Sequence, residues 1–122
     1  MNSRVPEGDD RLPERMQDFF SEEGVLSVSK DFEYRPQQQE MAVAVSRSLI
    51  DSKPLVVEAG TGVGKSLAYL APAVSFALSH KRKAVISTHT INLQEQLIDK
   101  DLPLLARLLD VGFNAVLMKG RA

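Results

Sequence analysis

The chain has 122 residues, enough for one domain at most, with 43% apolar and 25% charged residues and a net charge of −1. It contains no cysteine, which excludes disulfides and thiolate-held metals within it. No apolar run approaches the roughly 20 residues of a membrane helix, and no apolar core of a secretory signal follows Met1, so the cytoplasm is the expected location.

Charge divides the chain unevenly. Residues 1–31 hold four Lys/Arg and eight Asp/Glu, a balance of −4, whereas residues 32–122 hold eleven and eight, a balance of +3. The basic portion permits a nucleic-acid partner without requiring one. The first residues are rich in Pro, Gly, Asp and Arg. The organisation expected is a flexible acidic N-terminal arm over 1–18 and a nucleotide-binding segment over 19–122. Within and beyond that arm, Pro13 to Glu23 can form a short helix. Its residues Met16, Phe19 and Phe20 share one face, and Gly24 is a natural stop.

Arg35-Pro36 marks the next boundary, because a residue before proline avoids helical backbone and proline suits a first helical turn. The helix it opens is expected to reach Ser52, with Gln38, Met41/Ala42, Val45 and Leu49 recurring on one face. A strand is expected at Leu55 to Ala59. A helix follows over Lys65 to Ser79, with Pro72 inside it as a source of a kink. His80-Lys81-Arg82-Lys83 reads as a basic turn whose cations favour a helix C-terminus. A second strand is expected at Ala84 to Thr88, then a helix over Ile91 to Lys100. A short helix restarted at Asp101-Leu102-Pro103 is ended by Gly112, and a third strand runs from Phe113 to Met118. Strands separated by helices imply parallel pairing through right-handed crossovers. The fold class expected is therefore α/β.

Residues Ala59, Gly60, Thr61, Gly62, Val63, Gly64, Lys65 and Ser66 carry the chemistry. Strand, glycine loop, Gly-Lys-Ser and helix, in that order, build a nucleoside-triphosphate site. Glycines allow the backbone N–H groups to turn toward phosphate oxygens, and the following helix aims its positive end at the same place. Lys65 is expected on the β- and γ-phosphates, and the Ser66 hydroxyl is placed to hold Mg²⁺. Ala59 stands where the strict pattern has glycine. A plain glycine turn with a solvated Lys65 would not account for this order of parts.

Two weaker signals accompany the loop. The side-chain amide of Gln38 has a donor and an acceptor that match adenine N7 and N6, although a polar helix start reads equally well from Gln37, Gln38 and Gln39. Thr88 and Thr90 lie where the second strand ends, the edge at which open α/β sheets bind ligands. They can touch nucleic-acid phosphates, or Thr90 can cap the next helix, the better reading of the residues alone. Gln94 can reach a bound strand from the first turns of that helix, Gln96 is read as solvated, and His89 as a loop residue.

Three blocks, Glu33 to Met41, Glu58 to Pro72 and Ile86 to Leu97, together resemble DinG-type helicases, the XPD-like superfamily 2 ATP-dependent DNA helicases. The resemblance runs from about Phe19 to Ala122. It implies a RecA-like P-loop domain with a parallel sheet and flanking helices, here incomplete. It places Gln38 and Arg35 in an adenine-recognising motif, Gly60 to Ser66 on ATP and Mg²⁺, and Thr88, Thr90 and Gln94 on single-stranded or forked DNA. It also implies an iron–sulfur segment for which Lys119-Gly120-Arg121-Ala122 looks like the lead-in, and a C-terminal helicase portion. Neither a cysteine nor an Asp-Glu-Ala-His box occurs here. The expectation is thus an N-terminal helicase piece, from a truncated reading frame or an incomplete gene, that binds nucleotide without full activity. Another P-loop ATPase and a non-catalytic nucleotide- or nucleic-acid-binding module remain as alternatives.

Overall fold

The computed structural model describes residues 7–29, 32–60 and 64–118. Five α-helices organise them: α1 (Leu12–Phe19), α2 (Pro36–Asp51), α3 (Lys65–His80), α4 (Ile91–Gln96) and α5 (Leu102–Leu109). A 3₁₀ turn occupies Val25–Val28, and one turn of π-helix, Leu97–Asp101, joins α4 to α5.

Local chemistry explains most helix ends. Arg35 is extended (φ −133°, ψ 114°) and Pro36 takes the first turn of α2, as the dipeptide requires. Gly64 starts α3 in the left-handed region, at φ 76°. Ser52, Lys81 and Asp110 end α2, α3 and α5 at φ values of 54°, 54° and 55°, a conformation more often given to glycine. For α5 the sequence points to Gly112, but Asp110 makes the turn two residues earlier. Nor does α1 end at Gly24; it stops at Phe19, and Gly24 instead lies against the helix end. A Cβ there would collide with the Asp18 carbonyl oxygen and crowd that of Phe19.

The helix expected to break before Pro103 does not break. Backbone from Gln96 through Leu102 stays in the right-handed helical region, and the chain passes through the π-turn into α5. Proline removes an N–H and presses on the carbonyl four residues earlier; a locally wider turn accommodates both effects.

The core forms between helices. α2 and α3 make the most extensive pairing, and α1 packs on both. Small residues are buried on both helices, Ala42 and Ser46 on α2 and Ala68, Ala71 and Ser75 on α3. Leu12, Met16, Phe19, Phe20 and Leu26 cover one side, with the Phe19 and Phe20 rings edge to face at 5.1 Å. Leu97, Leu105, Leu108 and Leu109 extend the same cluster. Burial on this scale is the main favourable contribution to the helical assembly.

Residues 7–18, within the expected arm, are tied to this assembly. The Gly8 N–H donates to the Ser79 carbonyl at 2.7 Å, and Asp9 pairs with Arg15 at 2.8 Å while accepting from the Arg11 N–H. Leu12 and Met16 are buried, so the 18/19 boundary falls inside α1.

The expected parallel sheet is the principal difference. Among the described residues no strand ladder forms, and the segments containing Leu55 to Ala59, Ala84 to Thr88 and Phe113 to Met118 run without regular structure. Their exposure nevertheless keeps part of a strand pattern: Leu55 and Val57 are 42% and 41% exposed, and Val56 between them 97%. Val85 is 90% exposed and Val116 82%. A strand needs hydrogen-bonding neighbours and covered faces, and these segments do not supply them to one another.

Candidate functional site

The phosphate-loop motif occupies the start of α3. Thr61, Gly62 and Val63 lie outside the described residues; Ala59, Gly60, Gly64, Lys65 and Ser66 lie within them. Gly64 turns the chain at positive φ, and no side chain caps the helix it opens. The N–H groups of the first turn are therefore left without a side-chain cap, the arrangement that favours an anion. The exposed Lys65 side chain reaches the Ala59 carbonyl, to which its Nζ donates at 3.3 Å.

Gln38 is brought to the same place from 26 residues away. It is 4% exposed, and its Nε2 donates to the Gly64 carbonyl at 3.0 Å. Side chain and turn fit closely: a Cβ on Gly64 would overlap the Gln38 amide nitrogen. Its neighbour Gln39 serves the fold, accepting from the Tyr34 hydroxyl at 3.0 Å and donating to the Gln17 carbonyl at 2.6 Å. Arg35 is engaged by Glu33 at 3.2 Å, an exposed pair of small energetic weight.

The other expected site residues cluster at the start of α4. Thr90 is its N-cap, accepting from the Leu93 N–H at 3.2 Å, and Thr88 donates to the Thr90 carbonyl at 3.3 Å. Capping is the role the geometry displays. Gln94 is half-buried in the following turn, and His89 is exposed. Gln96 is exposed, in keeping with its reading as a solvated residue, and donates to Asp101 Oδ2 at 3.4 Å.

Two residues near the loop carry a signal that sequence spacing did not reveal. Tyr69 stands one turn after Ser66 on the same face of α3. Burial pushes the Tyr69 phenol above its ordinary value, the neighbouring Ser66 hydroxyl opposes this, and the charge of Asp101 adds to the rise. Asp101 closes the π-turn at 6% exposure. Burial raises its carboxyl, against the lowering influence of the Gln96 hydrogen bond and of Lys100. A lone Asp at a helix junction resembles a cap, so only its burial distinguishes it.

Among the described residues, no three His, Asp or Glu side chains stand together as a metal cluster. A cation held by Ser66 would take its remaining ligands from phosphate oxygens and water, as magnesium commonly does. The uncapped turn, Lys65 and the Ser66 hydroxyl fit magnesium-bound phosphate. Without cysteine, the chain offers no thiolate to an iron–sulfur cluster, and no role is assigned to one. No helix among the described residues is long and apolar enough to cross a membrane.

Residues 35–119 match the family described as DEAD/DEAH box helicase. The chain is 45% identical over 108 residues to the ATP-dependent DNA helicase YoaA of Escherichia coli, covering 88% of the chain and 16% of that relative. It is 58% identical over 67 residues to the ATP-dependent DNA helicase DinG of Photobacterium profundum, covering 55% and 10%. A relative from Staphylococcus epidermidis, 43% identical over 96 residues, is named a 3'-5' exonuclease DinG and is matched over 79% of the chain and 11% of its own length. The chain thus spans about one-sixth or less of these curated relatives.

Proposed function

The chain belongs to the DEAD/DEAH box helicase family, and from that premise we propose that it is the ATP-binding segment of a cytoplasmic DNA helicase. In this reading the protein couples ATP hydrolysis to movement on single-stranded DNA and to unwinding of duplex or forked DNA. The observation that supports it best is the contact of Lys65 with the Ala59 carbonyl at an uncapped helix start after Gly64.

Each residue has a defined task. The loop from Ala59 through Ser66 receives the triphosphate, its N–H groups and the Lys65 ammonium facing the phosphate oxygens. The Ser66 hydroxyl takes one position on Mg²⁺, which when bound neutralises phosphate charge. Gln38 both supports the turn and reads adenine. Its amide nitrogen has two protons, so one can remain on the Gly64 carbonyl while the other faces N7 and Oε1 accepts from N6. Arg35 flanks the base side of the site. Thr88, Thr90 and Gln94 touch the DNA backbone from the α4 end, with Thr90 using its carbonyl and hydroxyl for the fold as well.

In the longer protein, the segments around Leu55 to Ala59, Ala84 to Thr88 and Phe113 to Met118 join the RecA-like sheet. The 122 residues alone bind nucleotide without appreciable turnover. The test is titration of the chain with a fluorescent ADP analogue. Lys65→Ala removes a charged hydrogen-bonding group and weakens binding by roughly 10- to 100-fold. Equal affinity for parent and variant refutes the phosphate-loop assignment. DNA-stimulated phosphate release by the chain alone refutes the binding-only reading.

A further inference from the structure

Gln39 makes three hydrogen bonds at the start of α2, beside the residue read as selecting the base. Its N–H donates to the Arg35 carbonyl at 3.2 Å. Its Oε1 accepts from the Tyr34 hydroxyl at 3.0 Å, and its Nε2 donates to the Gln17 carbonyl at 2.6 Å. Gln17 lies in the last turn of α1, where carbonyls lack helical partners. The Met16 and Asp18 carbonyls on either side accept from the Phe20 and Ser21 N–H groups, and the Gln39 amide takes the one between them. Two helix ends are thereby joined through one side chain. The segment before α1 is fastened at the other end of α3, where the Gly8 N–H donates to the Ser79 carbonyl. At the start of α2, Arg35 makes no side-chain cap bond, so Gln39 supplies the side-chain hold on a turn that begins with Pro36. Successive helical residues project about 100° apart. Gln38 accordingly meets Gly64 while Gln39 meets α1.

We infer that Gln39 is a positioning residue for base selection: by fastening the first turn of α2 to α1, it fixes the direction in which the Gln38 amide meets the base, so that α1 contributes to the preference for a 6-amino over a 6-oxo purine. The inference rests on the reading of Gln38 as the adenine-recognising residue. With one Nε2 proton on the Gly64 carbonyl, Gln38 keeps its second proton and its Oε1 for the base. Telling a donor from an acceptor at position 6 depends on hydrogen-bond distance and angle, and looseness in the turn degrades both. The phosphate contacts are made from the loop and α3. Losing the Gln39 bonds therefore lowers selectivity for the base more than affinity for phosphate.

The test is displacement of a fluorescent ADP analogue by ADP, inosine diphosphate and pyrophosphate, using the 122-residue parent and its Gln38→Ala, Gln39→Ala and Tyr34→Phe variants. Inosine diphosphate carries an oxygen at C6 in place of the amino group, and pyrophosphate reports the loop alone. The parent prefers ADP to inosine diphosphate by about tenfold, the equivalent of one hydrogen bond, and Gln38→Ala removes that preference. Gln39→Ala reduces it to about threefold or less while pyrophosphate affinity stays within about twofold of the parent. Tyr34→Phe keeps the ring, loses one bond and gives an intermediate preference; it decides the matter where Gln39→Ala does not fold. Parental preference in Gln39→Ala, or in Tyr34→Phe where Gln39→Ala unfolds, overturns the positioning role. So does an equal loss of affinity for all three competitors, the mark of a purely structural residue. A parent that binds the two nucleotides equally, or a Gln38→Ala chain with parental preference, overturns the adenine reading itself. No binding of the fluorescent analogue overturns the phosphate-loop reading on which both depend.

Discussion

Replacing Gly64 with alanine tests the junction on which the site depends. Gly64 sits at φ 76°, where a residue with a Cβ is strained by about 1–2 kcal/mol. The new Cβ also meets the buried Gln38 amide, which must move and give up its bond to the Gly64 carbonyl. Loss of that bond, with a buried amide left poorly satisfied, costs a further ~1–3 kcal/mol. The expected total of about 2–5 kcal/mol corresponds to a fall in melting temperature of roughly 4 °C per kcal/mol for a chain of this size. Strain and collision separate in a double-mutant cycle with Gln38→Ala, read by urea denaturation. Without the Gln38 amide, only the backbone strain remains, so Gly64→Ala costs about 1–2 kcal/mol there. Equal costs in the two backgrounds, within ~0.5 kcal/mol, refute the contact between Gln38 and the loop.

Three further outcomes follow from buried polar groups and a cap. Ser75 has a buried hydroxyl with no partner among the described residues, so Ser75→Ala leaves urea stability unchanged or raises it by up to about 1–2 kcal/mol. Thr90→Ala removes the α4 cap, costs about 1 kcal/mol and speeds hydrogen exchange at the Leu93 amide, whereas Thr90→Ser retains protection. Asp101 has a folded-state pKa above its ordinary 3.8, so the folded state binds the proton more tightly and the stabilisation is fully present below 3.8. That contribution is lost as pH rises from there through the raised folded value; Asp101→Asn removes this part of the decline in denaturation curves taken from pH 3.5 to 7.

The elements most legible in the sequence are those fixed by neighbouring residues. Arg35-Pro36 set the start of α2, and Gly64-Lys65 the start of α3, because the backbone preference of each residue decides the conformation without help from afar. The phosphate-loop motif was readable for the same reason. The Gln38 bond to Gly64 spans 26 residues and was not. Spacing suggested the amide's chemistry but not its present partner. The π-turn was hidden because proline at 103 signals a break equally well, and only packing against α3 shows that the chain widens its turn instead.

The unpaired segments show why a correct apolar pattern did not produce the expected sheet. Leu55 and Val57 are partly covered and Val56 is bare, as in a strand resting one face on a helical layer. That alternation is encoded locally, but the ladder requires a neighbouring backbone at about 4.8 Å. Among the described residues the three segments do not pair with each other. The phosphate site differs in this respect. Gly64, Lys65 and Gln38 are positioned by α2 and α3, whose contact is already buried. The helical frame that positions these three residues therefore forms without the sheet, which is why their placement can be tested in the isolated chain.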